Sequence, residues 1–562
     1  MNLRGVLRGK IEKIMFKRKV KYPSITLKEP RHLIFFPKKI KASEIDIKYP
    51  LLEPFIYAHI KWNTEKKALA YDVIEPVLDK KEKEILENIK KDILDMLDID
   101  LTKIKKGGKT LEYIQKKIEK VLEDEGIVLE TDTYLKIIYH VYRDFVGLNE
   151  IESLLHDPYI EDIGCPGFNI PVFVVHRKFG SLETNILYDN MENLNNFVIK
   201  LAERCGRYIS YAKPLLDGSL PDGSRVQATL AKDVTTHGPT FSIRKFRVHP
   251  FSPVDIVNLK TASPEMMAYL WMIVESKLSI LICGGVSTGK TTFLNCISMF
   301  IPPEDKIVSI EDTRELNLPH ENWIPSVSRT GFGVPGPGGR LYGEVTLFEL
   351  LKESFRQNPD YVIVGEVRGK EAYVMFQGMA SGHSSIGTIH AGSLEDVIKR
   401  LESPPIELSP SLIETLDLIV VMTSAKERGK SARRVKNTVE IESVDPKTGT
   451  PHTIKSFSWM PSVDSFSKNI DESYLLKKIS FERGMSGEEM KNDMEKRIKI
   501  IKWMIKNNVT EFNDVCRLVN LYYKEPETLM KWVYNDIPPY KTKAKNKVER
   551  LWESSTGLKV ME

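Results

Sequence analysis

The stretch that most restricts how this chain can fold is Gly284-Gly285-Val286-Ser287-Thr288-Gly289-Lys290-Thr291, the pattern G-x-x-x-x-G-K-T. Leu278-Ser279-Ile280-Leu281-Ile282-Cys283 precedes it and reads as a buried parallel strand. Thr292-Phe293-Leu294-Asn295-Cys296-Ile297 follows and opens a helical pattern. Strand, glycine loop and helix, in that order, form the setting in which this pattern cradles phosphate. Glycines let backbone N–H groups turn inward around anionic oxygens, and the helix N-terminus faces the same anion. In such a cradle, running from Gly284 to Thr292, Lys290 reaches the β- and γ-phosphates and Thr291 ligates Mg²⁺. The expected fold class is α/β.

Two further apolar runs end in acid. Lys306-Ile307-Val308-Ser309-Ile310 leads into Glu311-Asp312-Thr313-Arg314-Glu315, and Asp360-Tyr361-Val362-Ile363-Val364-Gly365 leads into Glu366. Acidic residues at the carboxyl ends of strands in an α/β sheet lie at the ligand crevice. Glu311 is the first candidate for orienting or deprotonating an attacking water. Glu366 is a candidate for holding Mg²⁺ through water or sharing the base role, although Gly365 stands where an aspartate is usual. His383 and His390 bracket a last strand, Ser385–Ile389, and are read as a pair that senses a γ-phosphate. Between the acidic strands, Thr346-x-x-Glu349 is a capping box.

The chain has 562 residues, so several domains are expected. Charged residues make up 28% and hydrophobic ones 41%, as in a soluble globular protein. A net charge of +5 is too small for a protein coated in nucleic acid. Cys165, Cys205, Cys283, Cys296 and Cys516 are scattered without a C-x-x-C pair, against a disulfide framework or zinc knuckle. No apolar run approaches the roughly 20 residues that span a bilayer, and the N-terminus lacks a signal-peptide core. A cytoplasmic location is expected, with any membrane role peripheral.

Along the chain, residues 1–48 are a basic arm in which Leu3, Val6, Leu7, Ile11, Ile14 and Met15 recur at helical spacing, a pattern suited to anionic lipid, against the alternative of a solvated tail. Residues 49–130 read as a small helical unit with one or two strands, and 131–248 as mixed α and β. Strands Arg225–Leu230 and Thr240–Phe246 carry Arg225 and Arg244. With Arg207 they are candidates to reach a phosphate, against the alternative of ordinary surface arginines. Prolines 250 and 253 mark a hinge at 249–253. The nucleotide site occupies 254–440, and 441–562 is a strand and helix extension with a basic tail.

Taken in order, the phosphate loop, Ile310-Glu311-Asp312-Thr313-Arg314-Glu315, the segment Arg356–Arg368 and Gly382-His383-Ser384-Ser385-Ile386-Gly387-Thr388-Ile389-His390-Ala391 form a specific set. It resembles the Walker A, Asp box, Walker B and His box of the ATPases of type II and type IV secretion and type IV pili. Leu215-Leu216-Asp217-Gly218-Ser219 and Phe241-Ser242-Ile243-Arg244-Lys245-Phe246 resemble the archaeal branch, which includes the archaellum motor. The resemblance implies a RecA-like P-loop domain with an α+β N-terminal domain and ATP bound between them. It implies a hexameric ring, a polytopic membrane platform as partner, and closure of Arg207, Arg225 and Arg244 on the nucleotide. It places the protein at the inner face of the cell membrane. The tetracysteine zinc module of many bacterial members is missing from this sequence. The competing reading is a RecA-like motor that translocates nucleic acid. No aromatic-basic stacking platform supports that reading, so no nucleic-acid partner is expected.

Overall fold

The computed structural model describes residues 22–23, 41–96, 108–246, 250–331, 336, 340–427 and 430–539. Most of the basic arm and the end of the C-terminal tail lie outside the described residues. The chain divides into two units, Met1–Phe246 and Arg247–Glu562.

Among the described residues the first unit is built on nine strands: β1 (Asp46–Leu52), β2 (Ile56–Asn63), β3 (Ala68–Ile74), β4 (Ile160–Cys165), β5 (Pro171–His176), β6 (Gly180–Leu187), β7 (Leu215–Ser219), β8 (Arg225–Thr229) and β9 (Thr240–Arg244). They form one sheet in the order β1-β2-β3-β6-β5-β4-β9-β8-β7. All neighbours are antiparallel except β3 and β6, which run parallel with Ala70 opposite Glu183 and Tyr71 opposite Thr184. The Asn185 side chain extends that short seam, accepting from Val73 N–H at 2.8 Å and donating to its C=O at 2.9 Å. The segment expected as a helical unit over 49–130 is therefore split. Its strands complete the sheet of the following segment. Its helices, Lys80–Met96 and Gly108–Glu125, pack with helix Thr131–Phe145 around Ile89, Ile93, Ile118, Tyr134 and Ile138. Edge pairing decided this, and no local pattern encodes it.

The expected hinge at 249–253 also differs. Ser252 and Asp255 form a capping box and Pro253 begins helix Pro253–Asn258, so the end of that segment is already helical.

The second unit has β10 (Ile280–Gly284), β11 (Ile307–Glu311), β12 (Trp323–Val327), β13 (Tyr361–Val367), β14 (Ser384–Ile389), β15 (Leu418–Glu427), β16 (Lys430–Val444), β17 (Pro451–Met460) and β18 (Ser465–Lys468). The sheet order is β12-β11-β13-β14-β10-β15-β16-β17-β18. From β12 to β15 every pair is parallel, and β15 to β18 form an antiparallel meander. Every residue of β10, β11 and β14 is buried, as a parallel sheet covered on both faces requires. On one face, helix Pro264–Glu275, started by Ser263 as N-cap and Pro264, buries all nine residues from Met266 to Val274.

The C-terminal helices Gly487–Lys506, Phe512–Lys524 and Pro526–Tyr534 share that helix's core. The expected boundary at 440/441 is thus not a boundary in packing, because β16 runs through it. Glu440, fully buried, accepts from Tyr269 Oη at 2.8 Å, Ser456 Oγ at 2.6 Å, Ser473 Oγ at 2.7 Å and the Leu475 N–H at 3.0 Å. Four donors on one carboxylate satisfy a charge that would otherwise be prohibitive to bury. Among the described residues no helix is long and apolar enough to cross a membrane.

Candidate nucleotide site

The glycine loop joins β10 to helix Lys290–Ser298. Gly289 caps that helix at φ 89°, and Ser287 also has a positive φ of 59°. These left-handed residues reverse the chain so that the helix starts directly over the strand end. A Cβ on Gly284 would lie 2.5 Å from Thr288 Oγ1 and 2.8 Å from the Met422 carbonyl oxygen, so only glycine fits. Thr288 Oγ1 closes the loop by donating to the Gly285 carbonyl at 2.9 Å. Lys290, 7% exposed, donates its Nζ to the same carbonyl at 3.0 Å and lies 3.2 Å from His390 Nδ1. Burial draws the Lys290 ammonium below the usual lysine range, with the Glu366 carboxylate opposing the shift.

The parallel register brings the other candidates to the same edge. Cys283 pairs with Ile389, so His390 follows at the carboxyl end of β14 beside the loop. Its ring Nε2 lies 3.1 Å from Glu366 Oε1. Burial and the Lys290 charge hold His390 below the usual histidine range, so at neutral pH it is an uncharged relay between the two. Glu366 also accepts from Arg368 at 2.5 Å, and Arg368 lies 3.8 Å from Asp312. Burial alone would raise the Glu366 carboxyl. The Arg368 hydrogen bond, reinforced by the charges of Arg368 and Lys290, outweighs burial and keeps it ionised.

Glu311 has the opposite environment. It is 2% exposed at the end of β11, and burial raises its carboxyl to about 7 against the help of two backbone donors. Those donors, Glu315 N–H at 2.9 Å and Leu316 N–H at 3.0 Å, both reach Oε1, while buried Oε2 has no hydrogen-bond partner among the described residues. Its side chain also explains the glycine where an aspartate was expected. A Cβ on Gly365 would stand 3.0 Å from Glu311 Cγ, so the neighbouring strand's glutamate fills the space that an acid at 365 would need.

Among the candidates of the second unit, one is not brought to the site. His383 lies before β14, at its amino end, packed edge-on against Phe355 with ring centroids 5.0 Å apart. At about 3.3 Å per strand residue, it is roughly 20 Å from His390. The pairing of the two histidines is therefore corrected: only His390 stands at the loop.

Arg225 and Arg244 are directly opposite each other on β8 and β9 in the first unit, both exposed. Asp162 faces Arg244 from β4, and Asp217 approaches Arg225 at 3.3 Å. Arg207 is half-buried, with its Cγ 3.5 Å from a Cβ built on Gly218 of β7. All three thus share the β7-β8-β9 edge.

Sequence reading missed Arg433. It lies on β16, and its Nε donates to the Ser287 carbonyl at 3.0 Å. No motif predicts this approach, because a hairpin 146 residues away delivers it.

The loop suits a bound polyphosphate. Its glycine occupies space no side chain can enter, its lysine is buried at the helix start, and ionised Glu366 and Thr291 are oxygen donors suited to Mg²⁺. Cradle, acid-ended strands and the insertion of β14 between β10 and β13 define a P-loop protein with a RecA-like α/β core. The model of the type II/IV secretion system protein family matches residues 180–456, and a PilB3-like C-terminal model matches 462–538. An uncharacterised protein of Methanocaldococcus jannaschii is 33% identical over 522 residues, covering 88% of this chain and 92% of its own. The type IV secretion system protein PtlH of Bordetella pertussis is 32% identical over 277 residues, covering 43% of this chain and 79% of PtlH. The chain belongs to the type II/IV secretion system protein family. Among solved structures, the Legionella pneumophila ATPase DotB aligns over 70% of this chain and 96% of its own at 13% identity, with a TM-score of 0.37. The fold assignment rests on the strand order, not on that overlay.

Proposed function

We propose that this protein is an ATP hydrolase that works as a hexameric ring, driving assembly of a pilus-like filament, an archaellum or a secretion machine through a polytopic membrane platform protein. The observation that carries the proposal is the convergence of Lys290, Glu311, Glu366 and His390 on the carboxyl ends of neighbouring parallel strands. Phosphoryl transfer to water needs positioning and charge stabilisation more than covalent chemistry. The backbone N–H groups from Gly284 to Thr292 and the Lys290 ammonium bind and orient the polyphosphate. Mg²⁺, held by Thr291 and Glu366 in part through water, supplies charge neutralisation when bound. Glu311 serves as proton acceptor for the attacking water, because a carboxyl near neutrality accepts a proton most effectively at cellular pH. Glu366 keeps its charge through Arg368 and, through His390, is linked to Lys290.

Arg207, Arg225 and Arg244 are proposed to supply further positive charge, from the same or a neighbouring protomer. Such arginines contribute about 10³–10⁵ in rate. A cytoplasmic location at the inner membrane face, with residues 1–48 on anionic lipid, belongs to the same proposal.

The test is Mg-ATP turnover per protomer as protein concentration rises. A steep rise is expected, because sites completed between subunits need the ring. A flat, appreciable rate would overturn the ring. Lys290→Ala is expected to abolish turnover, and full activity in that variant would overturn the site.

A further inference from the structure

The hairpin of β15 and β16 reaches the phosphate loop at two points. From β15, the Met422 carbonyl backs the first glycine, Gly284. From β16, Arg433, opposite Ser424, crosses the far end of the loop. Its Cδ lies 3.0 Å from where a Cβ on Gly289 would stand, and its Nε donates to the Ser287 carbonyl at 3.0 Å.

That single bond has a geometric consequence. Across a planar trans peptide, a C=O and the following N–H point in opposite directions. Fixing the Ser287 carbonyl on Arg433 therefore fixes the Thr288 N–H the other way, and Ser287, with its positive φ of 59°, leads the chain into that peptide.

Charge makes a second, independent argument. Arg433 is exposed, and among the described residues no carboxylate is in ion-pair range of it and Nε is its one engaged donor. Its neighbour Arg434 is treated differently. That guanidinium is 1% exposed and is bound by both Asp464 oxygens, at 2.8 and 3.0 Å, and by the Leu259 carbonyl at 3.2 Å. Adjacent residues of one strand thus carry one neutralised arginine and one left uncompensated beside an anion cradle and Lys290. A second cation there is unfavourable until an anion is bound.

We infer that Arg433 is a phosphate-positioning residue: by holding the Ser287 carbonyl, its Nε–H turns the Thr288 N–H toward the polyphosphate of the bound nucleotide, and its uncompensated charge favours an anion in that cradle. The inference rests on the nucleotide reading above.

The test measures affinity for the fluorescent nucleotide mant-ADP with Mg²⁺, and KM and kcat for ATP, on the full chain. Arg433→Ala is expected to weaken mant-ADP binding about tenfold and raise KM by a similar factor, with a smaller effect on kcat. The urea unfolding midpoint should not move, because the side chain is exposed. Arg433→Lys keeps the charge but lacks a fixed planar donor and should recover only part of the affinity. Binding by Arg433→Ala within about twofold of wild type would overturn the inference, as would full recovery in Arg433→Lys. Failure of the underlying reading looks different: wild type would not bind mant-ADP, or Lys290→Ala would bind it as well as wild type.

Discussion

Replacing Glu311 with glutamine isolates the burial of one carboxylate. In the folded chain this group titrates at about 7, against 4.5 for the same group in the unfolded chain. The folded state therefore holds the proton more tightly. Whatever Glu311 contributes is fully present below the unfolded value and is lost as pH rises through the folded one. Integrating the two titrations, wild type loses about 2–3 kcal/mol between about pH 5 and about pH 8 through this residue alone. Glutamine does not titrate. Its oxygen keeps both backbone bonds, while its amino group replaces the unpartnered Oε2 and loses hydration worth about 1–3 kcal/mol. That penalty is the same at both pH values and cancels in the difference. Glu311→Gln should thus be more stabilising, or less destabilising, at about pH 8 than at about pH 5 by about 2–3 kcal/mol. Urea unfolding followed by tryptophan fluorescence measures it. Trp323, whose indole donates to Ser309 Oγ on β11 at 2.9 Å, reports the right unit. A pH-independent difference between variant and wild type would refute the burial argument, and with it the case for Glu311 as a base poised near neutrality.

Other outcomes follow from the same geometry. Arg225→Ala combined with Arg244→Ala should lower kcat by about 10³ or more while weakening mant-ADP binding far less; equal losses in both would mean the pair only binds. His390→Ala should lower turnover about tenfold by uncoupling Lys290 from Glu366. His383→Ala should leave turnover within about twofold while costing about 1 kcal/mol of stability through lost packing on Phe355. Steady-state kinetics of the two histidine variants side by side checks both, and equal loss of activity would restore the pairing that the strand length excludes.

What could be read from the sequence was local. The glycine loop, the acids closing β11 and β13 and the Thr346/Glu349 capping box each announce themselves within a few residues. The histidine pairing failed on arithmetic that the sequence did contain: seven residues of extended chain carry His383 to the other end of the sheet from His390. The glycine at 365 could not be explained from sequence, because its reason is the Glu311 side chain on a neighbouring strand. Arg433 and the β3–β6 seam were invisible for the same cause. Both depend on which strands lie side by side, and that is settled by long-range pairing.

Helix Pro264–Glu275 carries a lesson about where this molecule can be divided. Two family models meet between residues 456 and 462, as if the chain were two interchangeable parts. Yet this helix has no side left for water, and Trp271 stacks on Phe300 while donating to Tyr523 from the far part. The Glu440 carboxylate binds donors from both parts as well. Cutting the gene at that sequence seam would leave one fragment with a greasy open flank and a stranded charge. The two parts are separable as text but are packed as one body.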